Sequence, residues 1–449
     1  MTDSPSLNIY DLDPDQQDAI DRLYNEDATL MIAGTGAGKT IVTLSALNEL
    51  FRDNVLKRAL VLAPLKVCDN VWRGEAQEWS HTAHLNVGIA TGDDFDHVLE
   101  NAERYDIVVV NFDMVPKLCE SGELCHFDAL VVDEGSKMAA GGVWFKKLRK
   151  YVKTFKWRLV MSATPIIEGW EKLFYQVFLC DAGAAFGRNK QTFLNHHFYA
   201  TDFQKRNWKV IPGFESKITD QIDHLVHVVP DYKHTLPPFT VVEIATPLPP
   251  VGRKAYAEMC GTYKTEGVLA KTAAAKTLKL QQIASGFVYT EDRQVIQIHD
   301  AKHQALAILV EKLGKQAVGN ILIVYQFVEE LDRLRELYPD LVTLADGPDV
   351  VARWNAGKIP LLAIHPSSGS HGLNMALGGH TLIWLAPRWS LDQFTQQNER
   401  LWRRKQLHPV TAYVLVAADT VDNLVLLRHV DKSAYMPALL DHLTSQIAA

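Results

Sequence analysis

Residues 33–40 read Ala-Gly-Thr-Gly-Ala-Gly-Lys-Thr, a run of small residues that ends in a lysine and a hydroxyl. Small residues let backbone N–H groups approach and cradle phosphate oxygens, and a helix starting behind the loop adds the positive end of its dipole. In such a loop Gly34, Gly36 and Gly38 would surround the phosphates. Lys39 would neutralise the β- and γ-phosphates, and Thr40 would hold Mg²⁺. A second pair, Asp133-Glu134, ends the apolar run at 130–132. Asp133 would coordinate Mg²⁺ directly or through water, and Glu134 would polarise an attacking water as general base. An Asp-Glu pair after a strand also opens many surface turns, so its meaning rests on the phosphate loop at a one-domain distance.

Two basic stretches add candidates. In QQNERLWRRKQ (396–406), Arg400 and Arg403 are i,i+3 neighbours if the segment is helical, so they share a face. Each would present a planar guanidinium fork to phosphate oxygens; a solvated basic face is the alternative. KKLRKYVKTFKWR (146–158) carries seven basic residues in thirteen and no acid. On a helix Lys146, Lys150 and Lys153 form one stripe, able to follow a phosphate backbone or simply to face solvent. His224, His227 and His234 lack a Cys or carboxylate at supporting spacing for a metal site. Trp72, Trp79, Trp384 and Trp389 read as core or lobe-interface residues.

These residues need elements that bring them together. Short Val/Ile/Leu-rich runs at 28–33, 59–63, 106–111, 128–132 and 158–162 alternate with amphipathic stretches. That rhythm predicts an α/β fold with a buried parallel sheet and helices on both faces. It resumes at 240–245, 321–327, 341–345, 360–366, 381–386 and 410–417, with helices over 328–337 and 390–406 and a helical end from Thr420. Residues 181–235, rich in aromatics and His, read as a mostly helical insertion or bridge. The expected domains are 1–180, that bridge, and 236–449.

With these motifs in order, the chain resembles the superfamily-two helicases and translocases. Ala33, Gly36, Gly38, Lys39 and Thr40 match the family's first motif, and Ser162-Ala163-Thr164 its S-A-T motif. Gln16 stands where the nucleotide-sensing glutamine precedes the phosphate loop, with Gln17 as a rival; LDPDQ is similar to the L-R-P-Y-Q of Swi/Snf-type ATPases. VYQFVEELDRL (324–334) resembles the fourth motif. HPSSGSHGLNM (365–375) resembles the fifth through Gly369, Gly372 and Asn374, with Ser370 in place of a glycine. Gln396, Arg400, Arg403 and Gln406 match the sixth, with Lys405 where glycine is usual. The small single-chain members found in bacteriophages look most similar.

The resemblance implies two RecA-like lobes, ATP in a cleft between them, and Mg²⁺. It implies arginine fingers in Arg400 and Arg403, typically worth ~10³–10⁵ in rate. It implies that Ser162, Thr164, Gly369, Gly372, Asn374 and Gln396 couple ATP turnover to movement. The expected activity is ATP-driven tracking of duplex DNA without sequence reading. A strand-separating DNA or RNA helicase, and an ATP-gated clamp for phage replication or recombination proteins, are the rivals.

Composition sets outer bounds. The chain has 449 residues, 47% apolar and 22% charged, which suits two to three soluble globular domains. Lys+Arg number 46 against Asp+Glu 53, a net charge of −7, so a nucleic-acid site must be a local basic surface. There is no run near the ~18 apolar residues of a membrane span and no secretion signal, and the five cysteines form no C-x-x-C pair. The expected location is the cytoplasm, that of a bacterial host if the chain is phage-encoded, with no membrane partner.

Overall fold

The apolar runs of the first half form one parallel sheet. A computed structural model describes residues 7–166, 169–230, 232–316, 319–347, 349–366 and 373–433. The first strands are β1 (Ala28–Ile32), β2 (Ala59–Ala63), β3 (Val87–Ala90), β4 (Ile107–Asn111), β5 (Ala129–Val132) and β6 (Trp157–Ser162). An antiparallel hairpin follows, β7 (Phe198–Ala200) with β8 (Trp208–Val210), and then β9 (Val226–Val228). The seven-stranded order is β3-β4-β2-β5-β6-β1-β9. Strands β2, β4 and β5 are buried along their whole length. Both faces must therefore be covered, and helices do this. The helix Pro14–Asn25 starts with proline at N1 behind an Asp13 capping box and buries Gln16, Ala19, Ile20 and Leu23, one helical stripe.

The stretch expected to be a helical bridge over 181–235 has a different form. It holds two short helices, Lys190–His197 and Glu215–Asp220, besides the hairpin and β9. Phe193, Phe198, Ile218 and Leu225 are buried in the same core as Leu30, Leu60 and Val108. Strand β9 pairs in parallel with β1 (Leu30↔Val226, Ile32↔Val228), so this stretch finishes the first sheet. By contacts the chain divides into one unit through Tyr232 and a second over Lys233–Lys432. A three-residue strand is too short to show periodicity, which is why the sequence reading missed β9.

The second unit opens with β10 (Phe239–Thr246). Two small hairpins follow, β11 (Lys264–Thr265) with β12 (Val268–Leu269), and β13 (Phe287–Tyr289) with β14 (Val295–Gln297). Then come β15 (Asn320–Val324), β16 (Val342–Thr343), β17 (Leu361–Ile364), β18 (Gly379–Trp384) and β19 (Val410–Ala417). Its six-stranded sheet runs β10-β19-β18-β15-β17-β16, parallel throughout. The two parallel sheets flanked by helices are the two RecA-like lobes that the motifs imply. Among the described residues, no helix is long and apolar enough to cross a membrane.

One buried ion pair fastens the second unit. Lys302, in the helix Ala301–Lys315, donates to Asp422 Oδ2 at 2.6 Å; both side chains are 1% exposed. The same oxygen accepts from the Ala417 N–H at 3.0 Å, tying the end of β19 to the helix Val421–Ser433. Removing one partner leaves an uncompensated buried charge, which typically costs about 3–5 kcal/mol. Lys302→Met should therefore lower the urea midpoint of the second unit sharply. Lys302→Met with Asp422→Asn should regain much of the loss, because the amide still accepts from Ala417. Equal midpoints for the single variant and the wild type would refute this.

Candidate functional site

Strands β5, β6 and β1 lie side by side in parallel; β6 and β1 end level, and β5 ends two residues earlier. Val132 pairs with Val160, and Ile32 with Ser162. Asp133, Ala163 and Ala33 thus all follow C-terminal strand ends on one side of the sheet, Asp133 two residues below the other two. Ala33 N–H continues the ladder to Ser162 O at 3.1 Å, and Asp133 N–H does so to Leu62 O at 2.8 Å.

The glycine loop turns from β1 into the helix Lys39–Arg52. Gly36 and Gly38 have φ of 80° and 83°, a left-handed conformation that glycine adopts without penalty. Gly38 also makes room: a Cβ there would lie 2.1 Å from Gln16 Nε2. That amide nitrogen donates to Ala37 O at 2.9 Å, while Gln16 Oε1 accepts from Asp13 N–H at 2.9 Å. Gln17 instead turns back to the residue before the helix cap, donating to Leu12 O at 3.2 Å. Gln16 is thus the glutamine at the loop. Tyr232 OH donates to Thr35 O at 2.8 Å from the other side. Lys39 Nζ donates to Ala33 O at 3.0 Å and Gly34 O at 3.2 Å, so the ammonium is held over the loop. Thr40 follows, half-buried, in the first turn of the helix.

Asp133 and Glu134 are both buried. Burial raises the Asp133 carboxyl above the usual range, and the Lys39 charge is the strongest effect opposing it. Trp72, in the helix Trp72–Glu78, donates from its indole Nε1 to Asp133 Oδ2 at 3.3 Å. Glu134 has φ of 65°, a conformation costing an L residue about 1–2 kcal/mol. Gly135 behind it admits no side chain: a Cβ would lie 2.5 Å from Val160 Cγ1. Strain of this kind gathers where a side chain must be aimed. Ser162 is fully buried, and its Oγ accepts from Thr164 N–H at 3.2 Å. Buried Gln176 donates to Pro165 O at 2.7 Å, fixing the turn after Thr164.

This donor set fits ATP with Mg²⁺. The loop supplies backbone and a held ammonium, Thr40 a hydroxyl, and Asp133 a carboxylate whose burial makes a neighbouring cation favourable. The sequence reading took Trp72 as a core or lobe-interface residue and passed over Gln176 and Tyr232. The indole contact leaves no local pattern, since Trp72 and Asp133 are far apart in the chain.

In the second unit the helix over 390–406 is shorter than expected, Leu391–Asn398. Arg400 and Arg403 follow it in turns, and Lys405 has φ of 75°. They are therefore not stacked on a helix face. Gln406 explains the break: its Nε2 donates to Ala376 O, Gly379 O and Leu401 O, and its Oε1 accepts from Leu407 and His408 N–H. Satisfying those groups takes more than a helix would return. Arg400 is buried, with Nε donating to Gln397 Oε1 at 2.8 Å; burial, then the charge of Arg403, brings its pKa down to about 10. Arg403 donates to Leu373 O at 3.2 Å. Asn374 Oδ1 accepts from Ala376 N–H at 3.3 Å, and Gln396 sits half-buried on the helix. Gly369 and Gly372 lie outside the described residues.

The basic stripe is also broken. Lys146, Lys150 and Lys153 are exposed, but the helix Val143–Leu148 ends before the second of them, and a short 3-10 turn, Val152–Thr154, holds the third. Tyr151 OH donates to Cys119 O at 3.1 Å, and Arg149 stacks over Phe178 and donates to Arg188 O. These contacts fix the backbone where a helix would have continued.

Among known proteins, the family model described as the SNF2-related domain matches residues 18–301. Protein p41 of Acyrthosiphon pisum secondary endosymbiont phage 1 is 32% identical over 458 residues, covering 95% of this chain and 97% of that protein. The DNA repair and recombination protein RAD54B of Mus musculus is 20% identical over 514 residues, covering 96% of this chain and 57% of its own length. The solved Sulfolobus solfataricus SWI2/SNF2 ATPase core in complex with dsDNA has a TM-score of 0.45 at 18% identity, covering 92% of this chain and 89% of its own.

The two glutamines separate by substitution. Gln16→Ala leaves Ala37 O without its donor and opens space beside Gly38, so ATP affinity should fall about tenfold or more, the effect of losing one or two net hydrogen bonds. Gln17→Ala should stay within twofold of the wild type. Equilibrium titration with a fluorescent ATP analogue reads both, and the reverse order would assign the role to Gln17.

Proposed function

The chain belongs to the SNF2-related family, and on that premise we propose that it is an ATPase stimulated by duplex DNA, a motor that tracks the backbone without reading sequence. The observation that carries this reading is that Lys39 and Asp133, with Glu134 next to it, come together at the C-terminal ends of β1 and β5, close enough for the Lys39 charge to act on the Asp133 carboxyl. The name of the RAD54B relative, a DNA repair and recombination protein, supports DNA as the track. The phage relative supports the cytoplasm of a bacterial host as the setting, with phage replication or recombination proteins as partners.

In this reading Lys39 compensates charge on the β- and γ-phosphates, and the glycine loop supplies backbone donors. Thr40 and Asp133 hold Mg²⁺, which supplies positive charge against the phosphate oxygens. Glu134, aimed by its left-handed backbone, accepts the proton of the attacking water. Gln16, with both amide atoms engaged, fixes the loop on which phosphate binding depends. Arg400 and Arg403 add two cationic forks that a lysine could not reproduce. Ser162, Thr164, Asn374 and Gln396, with Gly369 and Gly372, pass the state of the nucleotide to movement.

Lys39→Ala should abolish turnover. Glu134→Gln should bind ATP yet hydrolyse it about 10²–10⁴-fold more slowly, the usual contribution of a general base. Closed circular duplex DNA of unrelated sequences should stimulate the wild type equally. With ~4 phosphate contacts, binding should show a log–log salt slope near −4. Stimulation by single strands alone, with closed duplex inert, would replace this reading with that of a strand-separating helicase.

A further inference from the structure

The β7–β8 hairpin presents chemistry that the ATP site does not use. On its inner side Phe198 is buried in the core of the first unit, with Trp208 and Val210 packed against that core. On the other side Tyr199 pairs with Lys209, and both are exposed. The tip, 201–207, is fixed by its own bonds. The two Asp202 carboxylate oxygens accept from Arg206 N–H at 2.9 Å and Asn207 N–H at 2.7 Å. Lys205 N–H donates to Asp202 O at 3.1 Å and Thr201 N–H to Asn207 O at 2.9 Å, while Trp208 Nε1 donates to Lys205 O at 3.0 Å. Inside this rigid turn Phe203 is 102% exposed, a ring projecting wholly into solvent.

A large apolar ring left in water contributes nothing to folding. Lys205 and Arg206 share its turn and Lys209 follows in β8, all exposed and, among the described residues, in no ion pair. The one acid of the hairpin, Asp202, is turned inward, and the backbone N–H groups it accepts from, Arg206's first, hold its carboxyl below the usual range. On a chain of net charge −7, this is a local cationic tip around a presented aromatic.

We propose that the hairpin tip is a nucleobase-stacking site for unpaired DNA, with Phe203 stacking on an exposed base and Lys205, Arg206 and Lys209 holding the flanking phosphates. The proposal rests on the DNA reading above and adds the class of DNA structure recognised. Aromatic rings flanked by cations are how single strands are held without sequence preference, because every base has a π-face. Bases inside a duplex are already stacked, and inserting a ring between them costs a few kcal/mol per step. The tip therefore favours a single-strand junction, a fork or a duplex end. A protein partner fits less well, since a standard interface buries about 800 Å² per side around an apolar centre and the tip offers one ring.

The test is equilibrium binding of the full chain, without nucleotide, to two DNAs: a fork with 2-aminopurine at its first unpaired position, and a covalently closed duplex. The wild type should change the 2-aminopurine fluorescence. Phe203→Ala should abolish that change and weaken fork binding about 5- to 150-fold, the worth of one base stack, with the loss confined to DNA carrying unpaired bases. Phe203→Trp should restore both signals, and Lys205→Ala with Arg206→Ala should make the fork salt slope shallower by about 1.4 units. Equal fork affinity and equal fluorescence change for wild type and Phe203→Ala would overturn the proposal, as would a wild type that leaves 2-aminopurine unperturbed. ATP turnover of the wild type on closed duplex is read separately. If it is not stimulated while fork binding still depends on Phe203, the motor reading fails and the hairpin site stands.

Discussion

The parallel register of β5, β6 and β1 is the constraint on which the candidate nucleotide site depends. One residue of slip would move a strand end by about 3.3 Å and turn every side chain to the opposite face. Either change would part Asp133 from Lys39. The register is held because the strands are apolar and buried on both faces, so a slip would misplace a whole row of packed side chains. Burial on both faces in turn requires flanking helices. One of them, Pro14–Asn25, carries Gln16 on its buried stripe and so delivers an amide to the loop. Glycine at position 38 follows from that approach, since nothing larger fits beside the amide nitrogen.

Charge is managed alike in the two units. Asp133 and Arg400 are both buried, and burial works against the charged form of each: it raises the carboxyl and lowers the guanidinium. A fold retains such groups at a cost in stability, and a site that binds a charged ligand recovers it when the ligand supplies the opposite sign. Lys302 and Asp422 show the other solution, two buried charges that neutralise each other. That pair holds structure.

The places of the glycine loop, the Ser-Ala-Thr turn and the Asp-Glu pair after strand ends were legible in the sequence because each is local: the backbone that follows a strand, and residue types that suit that backbone. Strands 59–63 and 410–417 were read at the bounds the structure gives them. Helix ends were legible over 328–337, which the structure gives as Val328–Leu337, but not over 390–406. Arg400 and Arg403 read as a helical face because their spacing allows it. The competing claim came from Gln406, whose amide satisfies carbonyls as distant as Ala376. The lysines of 146–153 failed for the same reason, with Tyr151 and Arg149 captured by Cys119 and Arg188. Trp72, read as a core or lobe-interface residue, is in the core, yet its indole N–H acts on a carboxylate sixty-one residues away. Periodicity reports which face is buried and is silent on which polar atom on that face finds a partner.

Residues 181–232 gain meaning from what β1 would be without them. With β6 on one side only, the strand that carries the phosphate loop would be an edge, its outer N–H and C=O groups unpaired and open to another chain. Strand β9 takes that place, pairing Leu30 with Val226 and Ile32 with Val228. Val229 N–H extends the ladder to Ile32 O, and Tyr232 reaches Thr35 inside the loop. The segment that closes the sheet therefore also buttresses the glycine turn, on top of the bonds from Gln16 and Lys39. The same segment, anchored through Phe193 and Phe198 in the core, carries the hairpin whose tip stands in solvent. A load on Phe203 is thus borne by the packing that seats β9 beside the phosphate-loop strand, a continuous path of buried contacts and backbone hydrogen bonds within one unit.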